Sequence, residues 1–290
     1  MTHPFVVHGG HRLIILIVLV GIALPVLYSS LPHGADWSDY YRPAALAMLR
    51  GENPYKGYGY YNPPWTLLPF IPIALLPARL GRLVIFLISL VGFGLLMILL
   101  RAKPLAMILF LSSAPVFGCL HDGNLDWLPM LSMFLPPAFG LMLAVTKPQV
   151  GLGMGIYWLV ESWRAGGLRT VVPTFLPVTL LVISWPLLYD LQLVHFRELM
   201  GVGWNMSIFP YGLPVGIYLL WSAIAHTCPG GRCQGNSKTL SLASSPFFSP
   251  YFEGYSLVSL LTALLEHPWR LGLAWVCLWT YKGILAVLSP

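Results

Sequence analysis

The chain has 290 residues, of which 57% are apolar and only 9% are charged, and its mean hydropathy is +0.74. A soluble domain carries about 25% charged residues, so this chain has too few to cover a globule in water. The composition excludes a soluble enzyme, a nucleic-acid-binding domain and a disordered chain, and it indicates that lipid surrounds most of the surface. The net charge of +6 is scattered between apolar runs, which is typical of loops held against an anionic membrane face.

The apolar runs predict an all-α, polytopic membrane protein. A bilayer core about 30 Å thick requires about 20 apolar residues per helix. The first run, 13–31, lacks a small-residue cleavage site and is predicted to be an uncleaved transmembrane helix. The later runs are 64–77, 81–100, 104–119, 126–146, 150–162, 171–189, 212–226, 239–265 and 269–288. Together they predict about eight to ten transmembrane helices in a single domain, 1–290.

Basic residues predict the orientation of these helices. Three short basic loops, near 101–103, 164–169 and 232–238, are expected on the cytoplasmic side, which places the first loop outside. Arg79 and Arg82 conflict with this arrangement because they would face outward. The run between the first loop and Arg79 is short and contains four prolines. A re-entrant or interfacial element there would remove the conflict.

The first loop, 31–63, carries three acidic residues, Asp36, Asp39 and Glu52. Its middle part, 40–50, has helix-forming residues in an amphipathic distribution and is followed by a glycine stop signal. This pattern predicts a helix along the membrane surface with Asp36 and Asp39 at its N-terminal end. An acid at that position either caps the helix or serves in catalysis.

Three further polar segments interrupt the apolar runs. The first holds Asn124, in a predicted tight turn, and Asp126, which either caps the next helix or belongs to a site. The second holds Lys147, directly after an apolar run, where a lysine either snorkels to the headgroups or holds a phosphate. The third, 244–255, is broken by prolines and carries Glu253.

Two other segments leave alternatives open. The tyrosine-rich stretch 55–61 is either an aromatic belt at the membrane interface or a platform for a sugar ring. Cys228 and Cys233 either pair or bind a metal with His226, or they belong to a glycine- and proline-rich turn between two helices.

Taken in chain order, these segments resemble glycosyltransferase family 87, the polyprenyl-phosphate-mannose-dependent group of the C-type membrane glycosyltransferases. The residues that carry the resemblance in the first loop are Asp36, Tyr40, Gly51, Pro54, Tyr55, Tyr61, Pro63 and Pro64, with Leu76 and Pro77 closing the stretch. Later motifs of the family look like 123–126, Lys147-Pro148 and Ser249-Pro250. This chain departs from the family in Asn124, which replaces a glutamine, and in Tyr251, where a histidine often follows Ser-Pro.

The resemblance implies a multi-pass glycosyltransferase of the cell (inner or plasma) membrane. It would transfer a sugar, expected to be mannose, from a polyprenyl phosphate to an extracytoplasmic acceptor hydroxyl with inversion. A lipid, a glycan or a protein is expected as acceptor and no nucleic acid as partner; no cofactor is expected, and a divalent cation is left open. The implied site residues are Asp36 (or Asp39) as catalytic base, Lys147 and Arg42 for the donor phosphate, and Tyr40, Tyr55, Tyr61, Asn124, Asp126, Gln149 and Tyr251 for the substrates.

Two other functions compete with this one. The first is a catalytically silent subunit that keeps a glycosyltransferase scaffold within a larger membrane assembly, and a chain shorter than expected of the family favours it. The second is a transporter, in which intramembrane acids and broken helices would line a substrate path. An inverted repeat would favour a transporter, and the sequence contains no recognisable one.

Overall fold

The computed structural model of the protein describes residues 24–189, 205–225 and 234–288. Within those ranges the chain is helical and has no strand, which confirms the predicted all-α class. Residues 24–30 form the first described helix, α1. The other helices are α2 (Arg42–Leu49), α3 (Ile71–Ala74), α4 (Ala78–Leu99), α5 (Pro104–Leu111), α6 (Ala114–Asp122), α7 (Trp127–Leu131), α8 (Pro137–Ala144), α9 (Pro148–Gly166), α10 (Leu168–Leu188), α11 (Leu213–Ala225), α12 (Gln234–Phe248), α13 (Val258–Thr262) and α14 (Pro268–Leu288).

Two described helices, α4 and α10, are long and apolar enough to cross a membrane. The helices α5 and α6 form a third candidate span if they are counted as one crossing, bent by 50°. Helix α10 buries only Val178 and leaves its other side chains exposed or half-buried, as a helix surrounded by lipid would. Most of the first predicted span, and the segment with Cys228 and Cys233, lie outside the described residues.

Several predicted spans are not single helices. The run 126–146 is divided into α7, a 3₁₀ turn at Ser132–Phe134 and α8. The run 239–265 is divided into the end of α12, a 3₁₀ turn at Gly254–Leu257 and α13. Both contain prolines, which cannot donate to the helical ladder and crowd the preceding turn. The run 64–77 forms only short helical pieces, as expected of a re-entrant or interfacial element rather than a span.

The helices α9 and α12 pack extensively against each other. A Cβ atom on Gly153 of α9 would lie 2.0 Å from the Ser241 carbonyl of α12, so only glycine fits there. The Gly153 N–H donates to Ser245 Oγ at 2.9 Å. Small residues and hydroxyl groups are typical of helix contacts inside membranes, and this contact holds the chain segments on either side of it together.

The helix predicted in the first loop is present as α2, and a π-helical turn, Asp36–Tyr41, precedes it. The Arg42 N–H donates to Trp37 O, five residues back. Pro43 favours this wider turn, because proline cannot donate and its ring crowds the carbonyl four residues earlier. The buried residues of α2 are the alanines Ala44, Ala45 and Ala47, while Leu49 is exposed.

The predicted tight turn after α6 is also present. Gly123 ends α6 in the left-handed region, with φ at +76°. A Cβ atom there would lie 2.7 Å from Trp37 Cβ, so the absence of a side chain lets this turn approach the first-loop helix. The turn therefore brings Asn124 next to Asp36.

Candidate functional site

Lys147 lies at the start of α9, and its side chain points into the protein. The residue is only 5% exposed. Its Nζ donates to Asp126 Oδ1 at 2.5 Å and to Asn124 Oδ1 at 2.7 Å, and it lies 5.2 Å from the centre of the Tyr255 ring. The snorkelling interpretation of Lys147 is therefore wrong, since a buried carboxylate holds the ammonium inside the fold. Burial alone would lower the pKa of Lys147, but Asp126, Tyr41 and Asp36 hold it well above its usual value, so the ammonium stays charged.

Asn124 connects this ion pair to the first loop. Its Nδ2 donates to Asp36 Oδ2 at 2.5 Å, and its Oδ1 accepts the Asp126 backbone N–H at 3.0 Å as well as the lysine ammonium. One amide side chain thus joins the segments that carry Asp36 and Lys147, which lie 88 and 23 positions away from it. Asp36, Asn124, Asp126 and Lys147, all proposed from the sequence, form one connected cluster.

The carboxyl group of Asp36 has an unusual environment. Burial raises its pKa from 3.8 to about 6, although the Lys147 charge and hydrogen bonds from Asn124 and Tyr255 oppose the shift. The negative charge of Glu253 raises the pKa further. A carboxyl group with a pKa of about 6 can hold and release a proton near neutral pH, which is what a general base requires.

Glu253 is the residue of this site that the sequence did not assign to it. It precedes the 3₁₀ turn that carries Tyr255, and its Oε1 accepts the Tyr251 hydroxyl at 2.5 Å. The charges of Asp36 and Glu253 both raise the pKa of Tyr40, so Tyr40 lies near both carboxylates. The scarcity of acids in an apolar chain was the signal that could have selected Glu253.

Asp39 and Asp126 do not cap helices. Asp39 lies on the outer side of the π-helical turn and pairs with His33 at 2.7 Å, with half of its side chain exposed. No side-chain cap is formed at the start of α2 or of α7. At α7 the side-chain Oδ1 of Asn124 accepts the Asp126 backbone N–H, which leaves the Asp126 carboxylate for Lys147. The capping interpretations are therefore wrong for both aspartates.

Other predicted site residues lie outside the cluster. Tyr55 contacts the rings of Tyr60, Trp185 and Tyr189 at centroid distances of 5.6 to 5.8 Å, so it joins the first loop to the end of α10. This contact fits a belt and a sugar platform equally well. Arg42 Nη2 donates to the Leu76 carbonyl at 3.4 Å.

Three predicted substrate-binding residues have partly accessible positions. Tyr61 is 36% exposed, and Gln149 is half-buried in the first turn of α9. Tyr251 is also half-buried and is fixed by Glu253. Tyr251 therefore belongs to the same side of the site as Glu253.

No group of three histidine, cysteine, aspartate or glutamate side chains that could hold a metal occurs among the described residues. Comparisons of the chain with protein-family models, curated proteins and solved structures found no match. The resemblance to glycosyltransferase family 87 thus stays a prediction. The geometry around Asp36 is the main support for a function.

Proposed function

We propose that the chain is a multi-pass C-type membrane glycosyltransferase. It moves a sugar from a polyprenyl phosphate to an acceptor hydroxyl, and its resemblance to family 87 suggests mannose. The observation that carries this proposal is the Asp36 carboxyl group, which is half-buried and held by Asn124, and whose pKa is raised to about 6.

The proposed chemistry is a direct displacement. Asp36 accepts the proton of the acceptor hydroxyl while the hydroxyl oxygen attacks the anomeric carbon of the sugar. The bond from that carbon to the phosphate oxygen breaks, and the phosphate leaves on its lipid chain with the bonding electrons. One displacement inverts the configuration at the anomeric carbon.

The membrane arrangement is part of the proposal. We place the chain in the inner or plasma membrane with eight to ten crossings, of which α4, α10 and the bent pair α5–α6 are the candidates among the described residues. The site would open on the extracytoplasmic side, and the lipid of the donor would lie between helices. This placement makes the donor a membrane lipid, and a larger membrane complex remains compatible with it.

The donor phosphate needs a cation to stabilise its developing charge. Of the two cations suggested by the sequence, Arg42 keeps a buried Nε that has no hydrogen-bond partner among the described residues. Lys147 already donates to two acceptors. We therefore assign the phosphate to Arg42 first, with Tyr40, Tyr61, Gln149 and Tyr251 as candidate contacts to the sugar and the acceptor.

The proposal can be tested in membrane vesicles from cells that express the full chain. The vesicles receive radiolabelled mannosyl phosphoryl polyprenol, and label is then measured in the lipid, glycan and protein fractions. We expect Asp36→Asn to lower transfer by about 10²–10⁴-fold, while Asp39→Asn, at the exposed His33 pair, keeps it. Vesicles with the wild-type chain that transfer no label, or an Asp36→Asn variant that transfers at the wild-type rate, would contradict the proposal.

A further inference from the structure

The donors and acceptors around Asn124 leave its amide only one orientation. The backbone N–H of Asp126 and the ammonium of Lys147 are both donors, so the group that faces them must be the amide oxygen. The amide nitrogen is then turned toward Asp36, whose carboxylate accepts from it at 2.5 Å. If the amide were flipped, its N–H₂ would face two donors and its oxygen would face a carboxylate.

The ammonium of Lys147 has little capacity left for a substrate. Two of its three N–H groups are used by Asn124 and Asp126. The aromatic ring of Tyr255 lies against another side of the ammonium. Only 5% of Lys147 is exposed to solvent. A phosphate would have to displace the Asp126 carboxylate, which would leave that carboxylate buried without its partner.

We propose that Lys147 is a positioning residue for Asp36. With Asp126 it holds the Asn124 amide so that this amide donates to the Asp36 carboxylate, and it does not bind the donor phosphate. The assignment of Asp36 as base rests on the function proposed above, whereas the coupling between Lys147 and Asp36 can be measured without activity.

The charges around Asp36 give the direction of the expected effect. Lys147, Asn124 and Tyr255 favour the ionised carboxylate, whereas burial and Glu253 favour the protonated acid. Loss of the lysine charge and of the oriented amide should therefore raise the pKa of Asp36. A nearby opposite charge shifts a carboxyl pKa by about one to three units, so an upward shift of about one unit is expected.

The first experiment titrates Asp36 in the purified full chain by infrared spectroscopy. The carbonyl band of the protonated Asp36 is identified by its loss in Asp36→Asn. The test variant is the double substitution Lys147→Met and Asp126→Asn, which removes both charges of the pair and leaves no unpaired ion. Lys147 is the strongest charge that acts on Asp36, so the Asp36 midpoint should still rise, by up to about one unit, although the Asp126 charge is lost as well.

Two further variants complete this experiment. Asn124→Ala keeps the ion pair and removes only the amide, so it should also raise the Asp36 midpoint. It replaces the double variant as the test if the double variant does not fold. Lys238→Met is the matched control, because that half-buried lysine donates to the Met133 carbonyl, and it should leave the midpoint unchanged. A midpoint that moves in neither test variant, or that moves equally in the control, would overturn the proposal.

The second experiment measures transfer from mannosyl phosphoryl polyprenol. A positioning role predicts that Lys147→Met with Asp126→Asn lowers kcat about 10-fold or more, leaves the donor KM unchanged and moves the acid limb of the pH profile upward. A phosphate ligand would instead raise the donor KM with no change in the infrared midpoint, which would overturn the proposal. A shifted midpoint in a chain that transfers no sugar would support the positioning role and contradict the proposed function.

Discussion

Burial raises the pKa of Asp36 from 3.8 to about 6, and this shift has a consequence for stability. Between these two pKa values the unfolded chain has lost the proton while the folded chain still binds it. The free energy of unfolding therefore falls as pH rises from about 4 to about 6. The loss is complete above the folded pKa and amounts to about 3 kcal/mol for a shift of about two units.

Asp36→Asn should therefore stabilise the protein at neutral pH. An asparagine can still accept the Asn124 amide but has no charge to desolvate, so we expect a gain of about 1–3 kcal/mol at pH above 6. Denaturant unfolding in detergent at several pH values measures it, and the gain should shrink as pH falls toward about 4. Asp39→Asn is the control and should change stability by less than about 0.5 kcal/mol, since its ion pair is exposed. If Asp36→Asn destabilised the protein at neutral pH, burial of the ionised Asp36 carboxylate would not carry the expected cost in free energy.

The neighbouring acid Glu253 supplies a second prediction at the residue scale. Its charge raises the pKa of Asp36, so Glu253→Gln should lower that pKa and move the acid limb of the transfer profile to lower pH. The same shift should appear in the infrared titration of Asp36. Glu161→Gln is a suitable control because Glu161 acts on Lys238 instead. An acid limb that stays in place would mean that Glu253 does not share the site with Asp36.

The residue types of this site could be predicted from the sequence, but their connections could not. Acids and a lysine in a chain with so few charges are conspicuous, and Asp36, Asp126 and Lys147 were found in that way. Their partners are 21 to 88 positions away, and no local pattern encodes contacts at such separations. The caps predicted for Asp39 and Asp126 failed because a π-helical turn and an asparagine side chain satisfied the backbone instead.

At the scale of elements, the break between α5 and α6 leaves the Ser112 carbonyl outside the regular helical ladder. It accepts the indole N–H groups of Trp275 and Trp279, both at 3.0 Å, from α14. A backbone carbonyl without a partner is costly in a membrane. The last described helix therefore supports the bend of the candidate span that leads to Asn124.

Because either indole can serve this carbonyl, the two tryptophans should behave non-additively. Trp275→Phe or Trp279→Phe alone should cost less than about 1 kcal/mol, while the double variant should cost about 1–3 kcal/mol. The measurement is the free energy of unfolding in detergent. Trp269→Phe, an exposed tryptophan on the same helix, is the matched control and should change little. Additive losses from the two single variants would show that the shared carbonyl is not what the indoles stabilise.

The apolar runs of the sequence predicted where helices occur better than where they cross a membrane. The runs over α4 and α10 match candidate spans, because each is long and continuous. The run 126–146 contains three prolines and is divided, although its hydropathy alone suggests one crossing. Hydropathy measures the preference for lipid, whereas helix length also depends on backbone donors that proline lacks.

At the scale of the whole molecule, the structure accounts for Arg82, one of the two basic residues that conflict with the predicted orientation. It is 3% exposed, and its Nη2 donates to the carbonyls of Leu120 and His121 at 2.6 and 2.8 Å. Its guanidinium also packs against Gly34 in the first loop. A cation used inside the fold is a poor signal for orientation, so the start of α4, the end of α6 and the first loop can share one side of the membrane.

This arrangement predicts that Ser38 and Gln149 are labelled from one side of the membrane and Arg101 from the other. Ser38 lies beside Asp36, and Gln149 lies two residues after Lys147, whose contacts join the two segments. Arg101 follows the far end of α4, which has 22 residues and a length of about 33 Å, enough to cross a bilayer.

The measurement replaces Cys119, Cys228, Cys233 and Cys277, introduces single cysteines at the three positions in the full chain, and applies an impermeant maleimide to sealed vesicles of known orientation. Labelling of Ser38→Cys and Gln149→Cys from opposite sides would exclude a single site, and labelling of Arg101→Cys from their side would exclude α4 as a crossing.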